Sequence, residues 1–172
     1  MFISLGYNCC PRIFIKNKYN LSKEIGYKTC PFDLCITNFY SLLDTLDYNF
    51  KNFFEDLKVI PWGNADGIRD LAGIGKTAIT NKSKIIFNHE GGSHSHLFKE
   101  GRNDDNFYIR NNFKEFKKRY NNRINNFKNY LSENDKITFI YKINDSFNKE
   151  KIENIIKKHY KNIKQINFLK ID

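Results

Sequence analysis

The stretch KITFIYKINDSFNKEKIENIIKKHYKNIKQINFLKI, residues 136–171, decides the fold. Ile137, Phe139, Tyr141 and Ile143 occupy every second position, the period that a strand imposes on its two faces. Over 148–163, Ile152, Ile155, Ile156 and Ile163 then fall at helical spacing, and QINFLKI (165–171) is a second strand pattern. Strand, helix and strand in this length make a βαβ unit. Its two strands run parallel, because the helix carries the chain back to the edge from which the first strand started.

Further upstream, FISLG (2–6) reads as a short buried strand, and KIIFNHE (84–90) as another that runs into a glycine-rich loop. Pro11 suits the first turn of a helix, where its missing N–H would be unpaired in any case, and Ile13, Phe14 and Ile15 continue as apolar helix or extended chain. A helix over 38–55, capped by Thr37 or Asn38, carries Phe39, Leu42, Leu43, Leu46 and Phe50 inward. The longest helix spans 111–131, with an aromatic stripe from Phe113 through Phe116, Tyr120, Ile124 and Phe127 to Leu131. Lys114, Lys117, Lys118, Arg119 and Arg123 lie between those positions and read as its solvated face. Pro61 and glycines 63, 67, 73 and 75 make 60–82 a loop. No repeat or linker divides the chain. The expected architecture is α/β: a single three-layer domain over 1–172, with a mainly parallel sheet covered by helices and a papain-like α+β fold as the alternative.

Bulk composition narrows the function classes. At 172 residues, 40% hydrophobic and 16% aromatic, the chain can build a real core. No apolar run reaches the length of a membrane span, and the N-terminus does not read as a signal peptide, so a cytoplasmic protein (host cytoplasm if viral) is expected. The net charge of +10 comes from basic residues spread along the chain, together with abundant Asn, Ile, Tyr and Phe. No nucleic-acid motif accompanies them, so the charge reads as composition and a nucleic-acid partner is not expected.

In an open α/β sheet, sites form beyond the carboxyl ends of the strands. Cys9 follows the first strand, His89 the second, and Asn144 and Asp145 the third, which puts chemically able groups at one expected edge. A thiol at a helix N-terminus faces unpaired N–H groups and the positive end of the helix dipole, which favour thiolate. Gly6 permits a tight turn before it, and the following N–H groups could stabilise an oxyanion. Cys10, Cys30 and Cys35 fit the role of small core hydrophobes.

Three other motifs are weaker. In NHEGGSHSH (88–96), an H-E-x-x-H zinc site would need histidine where Ser93 stands, and Gly91 and Gly92 oppose the helix it requires. A looser site from His89, His94 and His96 remains an open alternative, and Cys30 and Cys35 have the wrong spacing for a finger. GIGKT (73–77) lacks the first glycine of a phosphate loop, since position 70 is Asp70. No metal and no cofactor are expected.

Taken together, ISLGYNC near the start, PFDL at 31–34, the helix ending NFFED, the strand ending FNHE and the later YNNRINNFKNYL before ITFIYKI resemble a papain-like cysteine peptidase family. That family is found in bacteria and large DNA viruses and is largely uncharacterised. The resemblance spans most of the chain. It implies a nucleophile at Cys9 with a histidine partner at His89, and an acidic third member. The family's PFDW stands here as Pro31-Phe32-Asp33-Leu34, so Asp33 carries over without the tryptophan, and Glu90 replaces the usual aspartate after the histidine. With Gly6, Asn8, Glu90, Asn144 and Asp145 as binding residues, the expected substrate is a peptide or another acyl compound. Asp33 also has a purely structural alternative, tying down the turn after Pro-Phe. The competing classes are a non-catalytic binding module, and a glycan- or nucleotide-handling transferase that uses Arg and Lys for phosphate.

Overall fold

The computed structural model describes residues 1–61, 77–90, 106–142 and 147–172, with the backbone alone for 106 and 107. Its elements are β1 (Phe2–Ser4), α1 (Cys10–Tyr19), a 3-10 turn (Lys23–Ile25), α2 (Phe39–Asp47), β2 (Lys58–Pro61), β3 (Thr77–Thr80) and β4 (Ile86–Phe87). These are followed by α3 (Asn106–Arg110), α4 (Lys114–Glu133), β5 (Lys136–Lys142), α5 (Lys149–His159) and β6 (Gln165–Ile171).

The terminal unit forms as its periodicity dictates. β5 and β6 pair in parallel from Lys136–Gln165 to Lys142–Ile171, and α5 connects them. β1 adds to the other side of β5, also parallel, giving a three-stranded sheet ordered β1-β5-β6. Alternate residues of this sheet enter two apolar clusters. Ile3, Leu5, Ile137, Phe139 and Tyr141 join the main core with residues of α2, α4 and α5, while Ile140 packs with Ile15 of α1 and Tyr27. Asn148 caps α5 by accepting the Lys151 N–H at 3.0 Å, and Asn38 caps α2 by accepting the Ser41 N–H at 2.9 Å.

The expectation of one mainly parallel sheet does not hold. β2, β3 and β4 form a second sheet, and it is antiparallel. A five-residue connection (81–85) joins β3 to β4, too short for a parallel crossover. Asn81 fixes that connection, with Oδ1 accepting the Ile85 N–H at 3.1 Å and Nδ2 donating to the Phe53 carbonyl at 2.8 Å. β3 lies within the segment read as loop, 60–82, and β2 runs into its start. Pro61 is compatible with β2 because it ends an edge strand, where no ladder N–H is required of it.

Two helices are also shorter than their apolar patterns. α2 ends at Asp47, after which Asn49 and Phe50 take left-handed φ of 48° and 66°. The chain then coils through turns that bury both Phe50 and Phe53 against Phe127, Phe87 and Tyr120. The basic-aromatic helix is divided by Asn112 and Phe113, with φ of 50° and 56°. Phe32, Phe53, Phe87, Phe116, Tyr120 and Phe127 are fully buried in this core. Each such ring contributes about 1.5–3 kcal/mol of burial free energy relative to an exposed position.

Candidate active site

After β1 the chain must reverse into α1, and the reversal is tight. Leu5 still donates to the Ile140 carbonyl at 2.9 Å, but Gly6 and Tyr7 then take left-handed φ of 81° and 70°. Such a φ is natural for glycine and costly for a tyrosine, so the corner holds backbone strain. A Cβ on Gly6 would lie 2.6 Å from Thr37 Cγ2, so the corner is pressed against residue 37 as closely as glycine allows. Asn8 Oδ1 accepts the Cys10 N–H at 2.9 Å, and the Cys9 carbonyl accepts the Ile13 N–H at 3.0 Å as α1 begins. Cys9 is therefore the N-cap residue, half-buried and in the free thiol state, with Pro11 in the first turn.

The thiol's electrostatics correct the expectation drawn from helix position. Burial pushes the Cys9 thiol up, the Cys10 thiol adds to that, and the backbone N–H of Cys9 itself pulls weakly the other way. The expected row of free N–H donors is also reduced, because Asn8 takes that of Cys10 and Pro11 has none. Cys30 and Cys35 are buried, and desolvation raises both thiols strongly.

Asp33 is fully buried. Its Oδ2 accepts the Cys30 N–H at 2.7 Å and its Oδ1 the Tyr27 hydroxyl at 3.2 Å, which fastens the Pro31-Phe32-Asp33 turn from within. The guanidinium carbon of Arg12, on α1, lies over the Tyr27 ring, 3.7 Å from its centroid, and Nε is 4.0 Å from Asp33. Desolvation pushes the Asp33 carboxyl up to about 6, with these hydrogen bonds and Arg12 opposing it. Asp33 thus ties the 30–33 turn to the helix that Cys9 begins.

His89 is half-buried in the turn following β4, and β4 belongs to the antiparallel sheet. It does not share a sheet edge with Cys9 as the strand pattern suggested. Each of the two loops instead touches the same short segment, residues 36–37. Thr37 backs the Gly6 corner, while its neighbour Ile36 exchanges two backbone hydrogen bonds with Ile86, at 2.8 and 2.9 Å, three residues before His89.

Glu90 is buried and committed to arginine. Arg119 Nη2 donates to it at 2.5 Å, Arg123 Nη1 lies 3.6 Å away, and the Tyr108 hydroxyl donates at 3.3 Å. Arg119 and Arg123 therefore turn into the protein, where the helix pattern read them as solvated. A signal was present: only 6 of the 29 basic residues are arginine, and these two stand four apart on one helix face. Arginine is the residue that a buried carboxylate pair requires, since its fork donates to both oxygens and it stays charged.

Asn144, Asp145, His94, His96 and the glycines of GIGKT lie outside the described residues. Beside the carboxyl ends of β1 and β5, Leu5, Tyr7, Phe39, Leu42, Tyr141 and Phe147 leave a depression of only about 10 Å³. Among the described residues no group of three or more His, Cys, Asp or Glu could hold a metal ion, and no helix is long and apolar enough to cross a membrane. No curated protein and no solved structure matches the chain. A family model does match it over residues 1–170 of 172, and the chain belongs to that family, described as "Putative papain-like cysteine peptidase (DUF1796)".

Proposed function

We propose that the protein is a thiol-dependent acyl hydrolase or transferase of the peptidase type, with Cys9 as nucleophile and His89 as its proton acceptor. The strained Gly6–Tyr7 corner carries this reading. Left-handed φ on two successive residues holds Cys9 at the head of α1, and such strain persists where a side chain must be presented at a fixed angle. Family membership supports the same chemistry.

Because burial favours the neutral thiol, the reaction begins from S–H rather than from a resting ion pair. As the Cys9 sulfur bonds to the acyl carbon, His89 takes the thiol proton. It then delivers that proton to the departing amine or alcohol, leaving a thioester. Water, or a second acceptor, attacks the thioester with His89 again taking the proton, and the Cys9 thiol is restored. Gly6 and Asn8 shape the corner, and Glu90 fixes the segment that carries His89. Asp33 acts as a positioning residue through Arg12 and the 30–33 turn. Asn144 and Asp145, which follow β5 in sequence, are proposed to meet the substrate.

The test is acyl trapping with an activated ester, p-nitrophenyl acetate, read by intact mass and peptide mapping. One acetyl group should appear on Cys9, persist in Cys10→Ser and vanish in Cys9→Ser, with slower thioester turnover in His89→Ala. Acetylation spread equally over Cys9 and Cys10, or absent from both, would overturn the proposal.

A further inference from the structure

We propose that the cleft between α1 and residues 22–34 is a binding site for a phosphate monoester group, with Arg12, Lys16 and Lys23 as its cationic ligands. The cleft has a volume of about 210 Å³, and Ser22, Thr29 and Asp33 also line it. Arg12 and Lys16 stand one turn apart on α1, so their side chains share a face. Lys23 approaches from the 3-10 turn opposite.

Arg12 is the reason to read this cleft as a site rather than as an incidental basic surface. Its side chain is only 12% exposed, and its Nη1 is buried without a hydrogen-bond partner. Buried guanidinium groups are ordinarily matched by a carboxylate on the fork. Among the described residues its ion-pair partner is Asp33, at 4.0 Å, and both oxygens of that carboxylate already accept hydrogen bonds from Cys30 and Tyr27. Arg12 therefore lines the cleft with a guanidinium whose Nη1 is unpaired within the protein.

The remaining groups define the ligand. Three cations face two carboxylates, Asp33 and Glu24. Glu24 is fully exposed, and its carboxyl is held below the ordinary value chiefly by the Ser22 hydroxyl and its own backbone N–H, with Lys16 and Lys23 contributing less. A lone carboxylate ligand would resemble Glu24 and gain little over it. A tetrahedral dianion can engage an arginine fork and two ammonium groups together, and the volume leaves room for the organic remainder of an ester. A cleft of about 210 Å³ takes one such group rather than a run of backbone phosphates.

Nothing in this assignment depends on the chemistry of Cys9. It is tested on the full chain with inorganic phosphate and phenyl phosphate, by isothermal titration and by backbone amide shifts. Binding should saturate, with shifts confined to residues 12–16 and 22–34. Lys16→Glu and Lys23→Glu, both at exposed positions, should each weaken it by roughly tenfold, as loss of a charged ligand does. Lys18→Glu, which lines the apolar side of α1 with Ile13 and Phe14, should leave it unchanged, as should Cys9→Ser. Equal weakening in Lys18→Glu, or shifts scattered over all basic surfaces, would reduce the effect to the net charge of +10 and overturn the proposal. Absence of saturable binding would overturn it outright.

Discussion

Arg123 Nη1 lies 3.6 Å from the Glu90 carboxylate, and the charge of the same guanidinium also favours the ionised form of Asp33. One residue of α4 thus acts on two buried acids from opposite parts of the chain. Glu90 follows His89 directly, and Asp33 fastens the turn that precedes Cys35, Ile36 and Thr37. The polar interior is therefore the frame on which both proposed active-site loops are hung.

Glu90 is the central carboxylate of that frame, so neutralising it should be costly. Glu90→Gln leaves Arg119 and Arg123 largely buried with no counter-charge, a change worth about 3–5 kcal/mol in comparable buried pairs. Urea denaturation should show the loss. Lys82→Gln, which breaks the exposed pair with Glu55, should barely move the same curve. Equal effects from the two substitutions would show that burial of the Glu90 network contributes nothing special.

Asp33 should make stability depend on pH in an unusual direction. Its carboxyl is raised from 3.8 to about 6 in the folded protein, so the native state binds a proton that the unfolded chain has released. The stabilisation from this group is complete below pH 4, declines as pH rises to 6, and is gone above that. The change is on the order of 3 kcal/mol. Asp33→Asn should flatten this slope, as read from denaturation midpoints at pH 4, 5, 6 and 7. Parallel pH profiles for the two proteins would show that Asp33 titrates normally.

The Gly6 corner can be probed by a double substitution. Gly6→Ala imposes both a left-handed φ on alanine and a Cβ 2.6 Å from Thr37 Cγ2, and it should cost about 1–3 kcal/mol. Thr37→Ser removes the opposing methyl group and leaves the backbone conformation unchanged. The double variant should therefore be more stable than the sum of the single losses predicts, by on the order of 0.5–1 kcal/mol. Strict additivity would mean that the corner relaxes away from Thr37 and that its close approach is not enforced.

These relationships show which parts of the molecule could be read in advance. β5, α5 and β6 follow from side-chain periodicity because each is long enough for its period to repeat. The start of α1 followed from Pro11, while its continuation through Ile13, Phe14 and Ile15 was open between helix and extended chain. β4 lies within the strand read at 84–90, but its antiparallel partners were hidden because β2 and β3 have four residues each, too short for alternation to register beside proline and glycine. The breaks in α2 and ahead of α4 fall at Asn49-Phe50 and Asn112-Phe113, where an aromatic residue at helical spacing concealed a left-handed backbone. Around the candidate site, the corner ahead of Cys9 and the turn that Asp33 fastens were legible from local motifs. The arginines that answer Asp33 and Glu90 were not, because ion pairs across tens of residues leave no local pattern. Only the choice of arginine in a lysine-rich chain marked them.

The state of the Cys9 thiol is the last and most direct test of the site. Its sulfur is influenced first by burial and next by the Cys10 thiol, both of which oppose ionisation, and its own backbone N–H only partly offsets them. The midpoint of Cys9 alkylation, followed by iodoacetamide labelling and peptide mapping across pH, should therefore lie above that of an ordinary thiol. Cys10→Ser removes the neighbouring thiol group and should move the midpoint down. His89→Ala should leave it almost unchanged in the free protein, since the histidine is proposed to accept the proton during attack and not to hold a resting ion pair. The same variant should nevertheless slow thioester turnover, and this pairing of an unmoved titration with lost turnover separates a general base from an ion-pair partner. A low Cys9 midpoint in the wild type that rises in His89→Ala would instead establish a resting thiolate–imidazolium pair. Burial would then not be what sets the state of the thiol, and the reaction would begin from the charged form.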